Sequence, residues 1–381
     1  MKRFWILLLA VLCTSSCNWF GPGEKDRQVV LVYFAGNNSL SSEGEGDYED
    51  LCGAWLPEGR DKHRIVLIYR HFIDRTPVLS RIYRDRKGVL VEETIQEYPF
   101  NTNSATPQTL SAVLADAEEA WPAEHHGLIL WSHASGFLPE GYYANPAEHA
   151  AGGASLMSFA EDHGTEMDLK DLRKALSRFH YDYIIFDCCL MANVEVAYEM
   201  RNCADYLLFS PTEILSDGFP YEQMIQPIFE QKPEMAMTTI CQRYMEHYRA
   251  QSGVYRSATI SLVNTTALGQ LAAACKNIFN NHQDQIMTVN RGDIQAYFRF
   301  NKHWFYDIDD FVRRVATDAE YQAFSSALSR SVIYKDATEN FLSIHITHYS
   351  GLSSYIPRPE YTVLNNYYKT LQWNQATGLV P

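Results

Sequence analysis

Two stretches of the 381-residue chain end in side chains able to carry out nucleophilic chemistry. The first, Tyr181 to Met200 (YDYIIFDCCLMANVEVAYEM), opens as an apolar run of strand length, passes through Asp187, Cys188 and Cys189, and continues with helix-forming residues. In open α/β sheets ligands bind at the carboxyl ends of strands, so a thiol there stands where chemistry is done. Free cysteine is also among the most buried residue types, and a structural thiol is the alternative. The second stretch, His126 to Ser132 (HGLILWS), reads as a buried strand that ends at His133. His125 and His126 precede that strand, whereas His133 follows it, so His133 belongs on the rim that carries Cys189. A thiol and an imidazole at the ends of strands in one sheet form a nucleophile and its base.

The elements that must position these residues follow from the apolar pattern. Gln28 to Ala35 and Arg64 to Tyr69 are β-branched runs of the kind buried on both faces of a parallel sheet. Arg81 to Tyr83 and Val89 to Thr94, on either side of Asp85 to Gly88, predict a hairpin. Ser104 or Thr106 caps a helix from Pro107 to about Trp121. Ala134 to Gly164 has five glycines and no sustained period, which predicts a long loop. An amphipathic helix from Asp168 to Phe179 leads into the Tyr181 strand, and a helix from about Leu190 to Arg201 leaves it. Short strands at Asp205 to Ser210 and Tyr255 to Val263 enclose a helical region from Tyr221 to Arg249. Strands alternating with helices imply an α/β fold with a mostly parallel central sheet and helices on both faces. Beyond Asn264 the chain turns helical and aromatic, with Phe298, Phe300, Trp304, Phe305 and Tyr306 read as packed core rather than a ligand platform.

The formal charge is −14, and an acidic chain disfavours nonspecific binding to nucleic acid or anionic lipid. Residues 1–17 (MKRFWILLLAVLCTSSC) combine Lys2 and Arg3, an apolar run and small residues ahead of Cys17, which predicts a secretion signal too short to remain as a span. Residues 18–27, with Gly21, Pro22 and Gly23, read as a tether. The remaining cysteines, Cys52, Cys188, Cys189, Cys203, Cys241 and Cys275, match neither a disulfide framework nor a zinc signature. Asp47, Glu49 and Asp50, and again Asp307, Asp309 and Asp310, offer close carboxylates without an EF-hand pattern, so no metal and no cofactor is assigned and calcium dependence stays open.

His133 and Cys189 are 56 residues apart, close to the roughly fifty-residue separation noted for caspases. The chain resembles the clostripain family of cysteine peptidases, which share a caspase-like α/β/α sandwich. The likeness is carried by Asp187-Cys188-Cys189-Leu190-Met191 and by His133-Ala134-Ser135-Gly136-Phe137, against a family pattern with glycine at the position of Ala134. It extends to Leu31 to Leu40, with Ser39 as one extra residue before Leu40, to Ser210 to Tyr221, and to Ser350 to Pro357. The N-terminus resembles a lipoprotein signal in which Cys17 is lipidated; a plain signal peptide is the alternative. The implied organisation is a signal and lipidated cysteine in 1–17, a tether in 18–27, a caspase-like core in 28–263, and a helical, aromatic-rich C-terminal subdomain in 264–381 that returns a strand near 350–357 to the core.

The resemblance implies Cys189 as nucleophile and His133 as general base and then acid, with backbone N–H groups of Ala134 and Cys189 as candidates for holding an oxyanion. A helix beginning at about Leu190 would aim its positive dipole end at the sulfur. By the same resemblance Asp187, two residues before Cys189 and on the same face of an extended chain, lines a pocket for Arg or Lys; a helix cap is its plainer role. Asp217 is a candidate for that pocket, with a solvated loop aspartate as the alternative. Cys188 faces the core. The family often matures by self-cleavage after a basic residue beyond the histidine, yet no Lys or Arg lies between Lys87 and Lys170, an interval with thirteen acids. The expectation is an exported, lipid-anchored cysteine endopeptidase of the cell envelope, active as a single chain on protein or peptide substrates with Arg or Lys, membrane-bound through its N-terminal lipid and without a nucleic-acid partner. A non-catalytic relative that binds peptides at the same rim, and a different α/β hydrolase such as a cell-wall amidase, are the alternatives.

Overall fold

The computed structural model describes residues 26–139, 142, 159–162, 164–298 and 304–381. The signal, Cys17 and most of the tether lie outside the described residues, as do Phe300 and most of the segment between Ala134 and Gly164. The chain runs β1 (Gln28–Gly36), α1 (Ser41–Gly53), β2 (Arg64–Phe72), β3 (Val78–Arg84), β4 (Leu90–Glu97), α2 (Pro107–Ala120) and β5 (His125–Trp131). It continues through β6 (Phe159–Asp162), β7 (Thr165–Met167), α3 (Leu169–Leu176), β8 (Tyr181–Asp187), α4 (Val194–Met200), β9 (Ala204–Phe209), α5 (Ile225–Glu230), α6 (Pro233–Ala250) and β10 (Thr259–Asn264). The remainder is α7 (Leu268–Asn281), α8 (Gln283–Thr288), β11 (Tyr306–Asp307), α9 (Ile308–Val315), α10 (Asp318–Ser331), β12 (Val332–Ala337), β13 (Asn340–Phe341), β14 (Ile344–His345), β15 (Ser353–Ser354), α11 (Thr362–Tyr368) and α12 (Gln372–Thr377).

One nine-stranded sheet, ordered β12-β10-β9-β8-β5-β1-β2-β3-β4, carries the molecule. Its centre, from β9 through β8, β5 and β1 to β2, is parallel, and antiparallel strands finish both sides. The period of two sorts each central strand between two cores. Leu31, Tyr33, Leu130, Ile184 and Phe186 face α2, α3, α7 and the C-terminal helices; Val32, Phe34, Ile129, Tyr183 and Ile185 face α5 and α6. The expected β3–β4 hairpin forms, and α2 starts at Pro107 with Thr106, not Ser104, accepting from Thr109 N.

Two expectations differ from the structure. The segment read as a long loop contains the β6–β7 hairpin, because Phe159 bridges back to Ala134 and gives the chain a partner no periodicity announced. The helix expected from about Leu190 begins only at Val194, capped by Asn193, whose side chain accepts from Val196 N. Leu190 takes φ 62°, and its N–H and that of Ala192 are bound instead by Thr212 O and Ser210 O. Near 350–357 the strand is β15, which pairs with β11 and bridges to Asn193 at the start of α4; the C-terminal strand that joins the large sheet is β12, on β10. Hydrophobic packing runs without a break across Asn264, from Val263 through Leu268 to Val380.

Glu195, in the first turn of α4, ties this packing together. It is fully buried, and its Oε1 accepts from Tyr355 N at 2.9 Å and from the Tyr368 hydroxyl. Burial pushes its carboxyl up to about 7 against these hydrogen bonds. Between the unfolded value near 4.5 and about 7 the folded chain keeps a proton that the unfolded chain has lost, so rising pH favours unfolding. That gap corresponds to about 3 kcal/mol of stability, present below pH 4.5 and lost by pH 7. Urea denaturation of Glu195→Gln, which keeps the hydrogen bonds without the charge, is expected to give a shallower fall in stability between pH 5 and 8 than the parent; an identical slope would show that Glu195 is not the titrating group.

Candidate functional site

β5 and β8 are adjacent parallel strands, and their register sets Trp131 opposite Asp187. His133 and Cys189 each lie two residues beyond that pair, so the two sequence candidates emerge side by side from neighbouring strand ends. Sequence spacing could only say that both follow a strand.

Cys188 and Cys189 separate as the alternation predicts. Cys188 is buried and its Sγ donates to Leu130 O at 3.0 Å, a structural role. Cys189 is half-buried, and its Sγ receives the Ile214 N–H at 3.4 Å. A hydrogen bond from a backbone donor favours the charged thiolate. That donor takes the place of the expected helix dipole, since α4 starts five residues after the sulfur. His133 is partly buried; burial lowers its pKa, while Glu161 and Glu43 oppose the shift. Its Nε2 lies 2.9 Å from Ser39 Oγ.

The loops that carry the two residues lock together at Gly136. It adopts φ 67°, and a Cβ there would stand 2.6 Å from Leu190 O and 2.7 Å from Asn193 Nδ2. The glycine that this turn requires is therefore Gly136; Ala134 lies outside the left-handed region, so alanine there carries no backbone strain. Ala134 is buried in an antiparallel bridge to Phe159, and the adjacent His133 O accepts from Ala160 N at 3.0 Å. β6 is in turn held to the end of β1: Asn38 Nδ2 donates to Glu161 O and Asn37 Nδ2 to Asp162 Oδ1, both at 2.8 Å. Asp162 also accepts from Ser104 N at 2.7 Å and lies 3.2 Å from His71 Nδ1.

Asp187 is buried beneath the thiol, accepting from Tyr221 Oη at 3.0 Å and from Phe219 N. It is not a helix cap. A second carboxylate stands beside it. Asp47, on α1, is buried and accepts from Trp131 Nε1 at 2.7 Å. Gly218, at φ 55°, closes over both: a Cβ there would lie 2.8 Å from Asp47 Oδ2 and 3.2 Å from Asp187 Oδ2. Burial raises both carboxyls, and the charge of Asp187 raises Asp47 further. Asp217 is different. Its side chain is 55% exposed, at 3.8 Å from His247 Nε2, so it lies outside this buried pair.

Sequence reasoning read Asp47 only as a metal candidate, because nothing local separates it from its exposed neighbours Glu49 and Asp50. Its helical phase relative to buried Leu51 was the available signal. In the other acidic group, Asp307 caps α9, Asp309 accepts from Tyr321 Oη and pairs with His348, and Asp310 accepts from Gln295 N. Among the described residues no group of three His, Cys, Asp or Glu side chains is arranged to hold a metal ion, and no helix is long and apolar enough to cross a membrane.

Comparison with known proteins follows the same residues. A family model described as the clostripain family matches residues 32–378. Clostripain of Hathewaya histolytica is 23% identical over 245 residues, which span 54% of this chain and 43% of that protein's length. The structure of an inactive zymogen C11 protease from Parabacteroides distasonis superposes with a TM-score of 0.80 at 31% identity, covering 93% of this chain and 99% of that one. A secreted C11 cysteine protease from Bacteroides thetaiotaomicron, solved with an irreversible peptide inhibitor, gives 0.78 at 26% identity over 92% and 99%. The fold is thus the caspase-like α/β arrangement of these proteases. With the match running from β1 to the end of α12, and the His133 and Cys189 strand ends inside it, the chain belongs to the clostripain family of cysteine peptidases.

Proposed function

We propose that the chain is an exported cysteine endopeptidase that hydrolyses peptide bonds after Arg or Lys, tethered to the cell envelope by a lipid on Cys17. The observation that carries the reading is the register of β5 and β8, from which His133 and Cys189 emerge together above a buried Asp187. His133 takes the thiol proton and the Cys189 sulfur attacks the scissile carbonyl carbon. The carbonyl oxygen becomes an oxyanion, for which the backbone N–H groups of Ala134 and Cys189 are the candidate donors. Collapse of this intermediate breaks the C–N bond as the imidazolium gives its proton to the leaving amine, and water, deprotonated by His133, then hydrolyses the thioester. The N-terminal signal pattern, together with a relative described as secreted, supports export. Purified protein is expected to cleave Arg and Lys peptide reporters under reducing conditions and Asp or Ala reporters far more slowly, with Cys189→Ala inert. No turnover of any reporter would leave a peptide-binding rim; turnover untouched in Cys189→Ala would overturn the site.

Specificity is attributed to the Asp187–Asp47 pair. Two buried carboxyls side by side hold a proton until a cation arrives, and a guanidinium or ammonium between them makes ionisation favourable. Because the cation must displace that proton, it binds more tightly as pH rises, and KM for an Arg reporter is expected to fall with increasing pH. Asp187→Asn should reduce kcat/KM for Arg and Lys reporters about a hundredfold or more and spare a neutral reporter. Asp47→Asn should remove the part of the fall in KM that comes from ionising Asp47 and keep the part at lower pH that comes from Asp187, which ionises while Asp47 is still protonated. Steady-state kinetics from pH 5 to 9 on the three proteins decide this; a pH-independent KM in the parent contradicts it.

The absence of Lys and Arg between Lys87 and Lys170 leaves no basic cleavage point in the segment after His133. The protein therefore works as a single chain or is activated by a route other than self-cleavage after a basic residue there. Prolonged incubation of the mature protein should leave one band on a denaturing gel, and two defined fragments formed only when Cys189 is present would refute it.

A further inference from the structure

We infer that Ser39 is a positioning residue for the reacting pair: its hydroxyl accepts the Nε2 proton of His133 and leaves Nδ1 as the nitrogen that exchanges a proton with Cys189. The inference rests on the peptidase reading and adds a third residue to it. In the sheet, β5 lies between β8 and β1, so His133 stands between the strand end that carries Cys189 and the turn that carries Ser39. The ring nitrogen on the β1 side is Nε2, at 2.9 Å from Ser39 Oγ. With Nε2 engaged by Ser39, Nδ1 is the nitrogen assigned to the thiol.

The turn that presents Ser39 is held on both sides. Asn38, buried, donates through Nδ2 to Ala35 O at 3.0 Å and Glu161 O at 2.8 Å, and accepts through Oδ1 from Leu40 N at 2.9 Å. Ser41 N donates to Asn38 O, and Ser41 Oγ accepts from Ile73 N. Ser39 is thus an exposed side chain on a fixed backbone. It is also the extra residue by which Leu31 to Leu40 departs from the family pattern.

The direction of the hydrogen bond follows from the chemistry. Were Ser39 to donate to Nε2, the neutral ring would carry its proton on Nδ1 and could not receive one from the thiol. With Ser39 accepting, Nδ1 has a free lone pair, and after proton transfer both nitrogens donate. The hydroxyl therefore stabilises the imidazolium more than the neutral ring. Among the described residues Glu43 on α1 and Glu161 on β6 act on the ring in the same sense, while burial acts against them.

The test compares parent, Ser39→Ala, Ser39→Thr, His133→Ala and the double variant Ser39→Ala/His133→Ala. Two readings are taken from pH 4 to 10: kcat/KM on an Arg reporter, and the rate at which iodoacetamide alkylates Cys189, resolved from Cys52 by peptide mass spectrometry. Ser39→Ala is expected to lower kcat/KM about tenfold or more. It should also move the alkaline limb of the kcat/KM profile to lower pH, as an imidazolium without its acceptor deprotonates earlier, and move the rise of alkylation to higher pH, as the thiolate loses part of its support from the imidazolium. Ser39→Thr should restore both, and in the His133→Ala background removal of Ser39 should cost nothing further. Unchanged profiles in Ser39→Ala, an equal loss in both backgrounds, or a gain in kcat/KM, which would mean that Ser39 competes with the thiol for Nε2, each overturn the inference. If the parent cleaves no reporter, the alkylation profiles still read the effect of Ser39 on the thiol, so the peptidase reading can fail while this one stands.

Discussion

The parallel register between β5 and β8 is the constraint on which the rest depends. Backbone hydrogen bonds set Trp131 against Asp187, and the two residues that follow in each chain carry His133 and Cys189 out of the sheet together. A slip of one residue would turn every side chain of a strand to the other face. It would send Ile184 and Phe186 out of one core and Tyr183 and Ile185 out of the other, and no packing on either side could accommodate that. Reactive geometry is therefore protected by ordinary hydrophobic burial on both faces of the sheet.

Around this register the rim is assembled from pieces distant in sequence. Gly136 closes against Leu190 and Asn193, β6 holds His133 through Ala160, and Asn37 and Asn38 hold β6. The Ile214 N–H reaches Cys189 because Thr212 O binds Leu190 N and draws the Ser210 to Tyr221 loop over the thiol. The same loop delivers Gly218, Phe219 and Tyr221 to Asp187. One segment thus contacts both Cys189 and Asp187.

Buried acids are costly unless hydrogen-bonded, and this chain meets the cost in distinct ways. Asp162 and Asp307 each take several donors, including backbone N–H groups, and serve the architecture. Glu195 accepts from the C-terminal segment and joins α4 to it. Asp187 and Asp47 differ, since the two carboxylates adjoin and, among the described residues, no basic side chain pairs with either. An unneutralised pair of this kind supports the proposed pocket for a cationic side chain.

The amino-acid sequence by itself determined the elements whose physics is local. Runs such as Gln28 to Ala35 and His126 to Ser132 are apolar enough to read as central strands, the Asp85 to Gly88 turn makes its hairpin, and alternation alone turns Cys188 inward and leaves Cys189 at the rim. It also brought His133 and Cys189 to one rim, because chain direction in a parallel sheet puts all strand ends of one polarity together. Tertiary structure decided what depends on pairings across the chain. The helix after Cys189 begins late because Thr212 O and Ser210 O capture N–H groups that helix-forming composition had assigned to a helix. Backbone geometry at the histidine turn rests on Gly136 rather than Ala134 because the close approach is to Leu190, 54 residues further on. Asp47 enters the buried pair, and Asp217 stays in solvent, because α1 packs against Trp131 and the Gly218 turn points its neighbour outward. Such outcomes are set by which surfaces meet when the sheet closes, and no window of local sequence contains them.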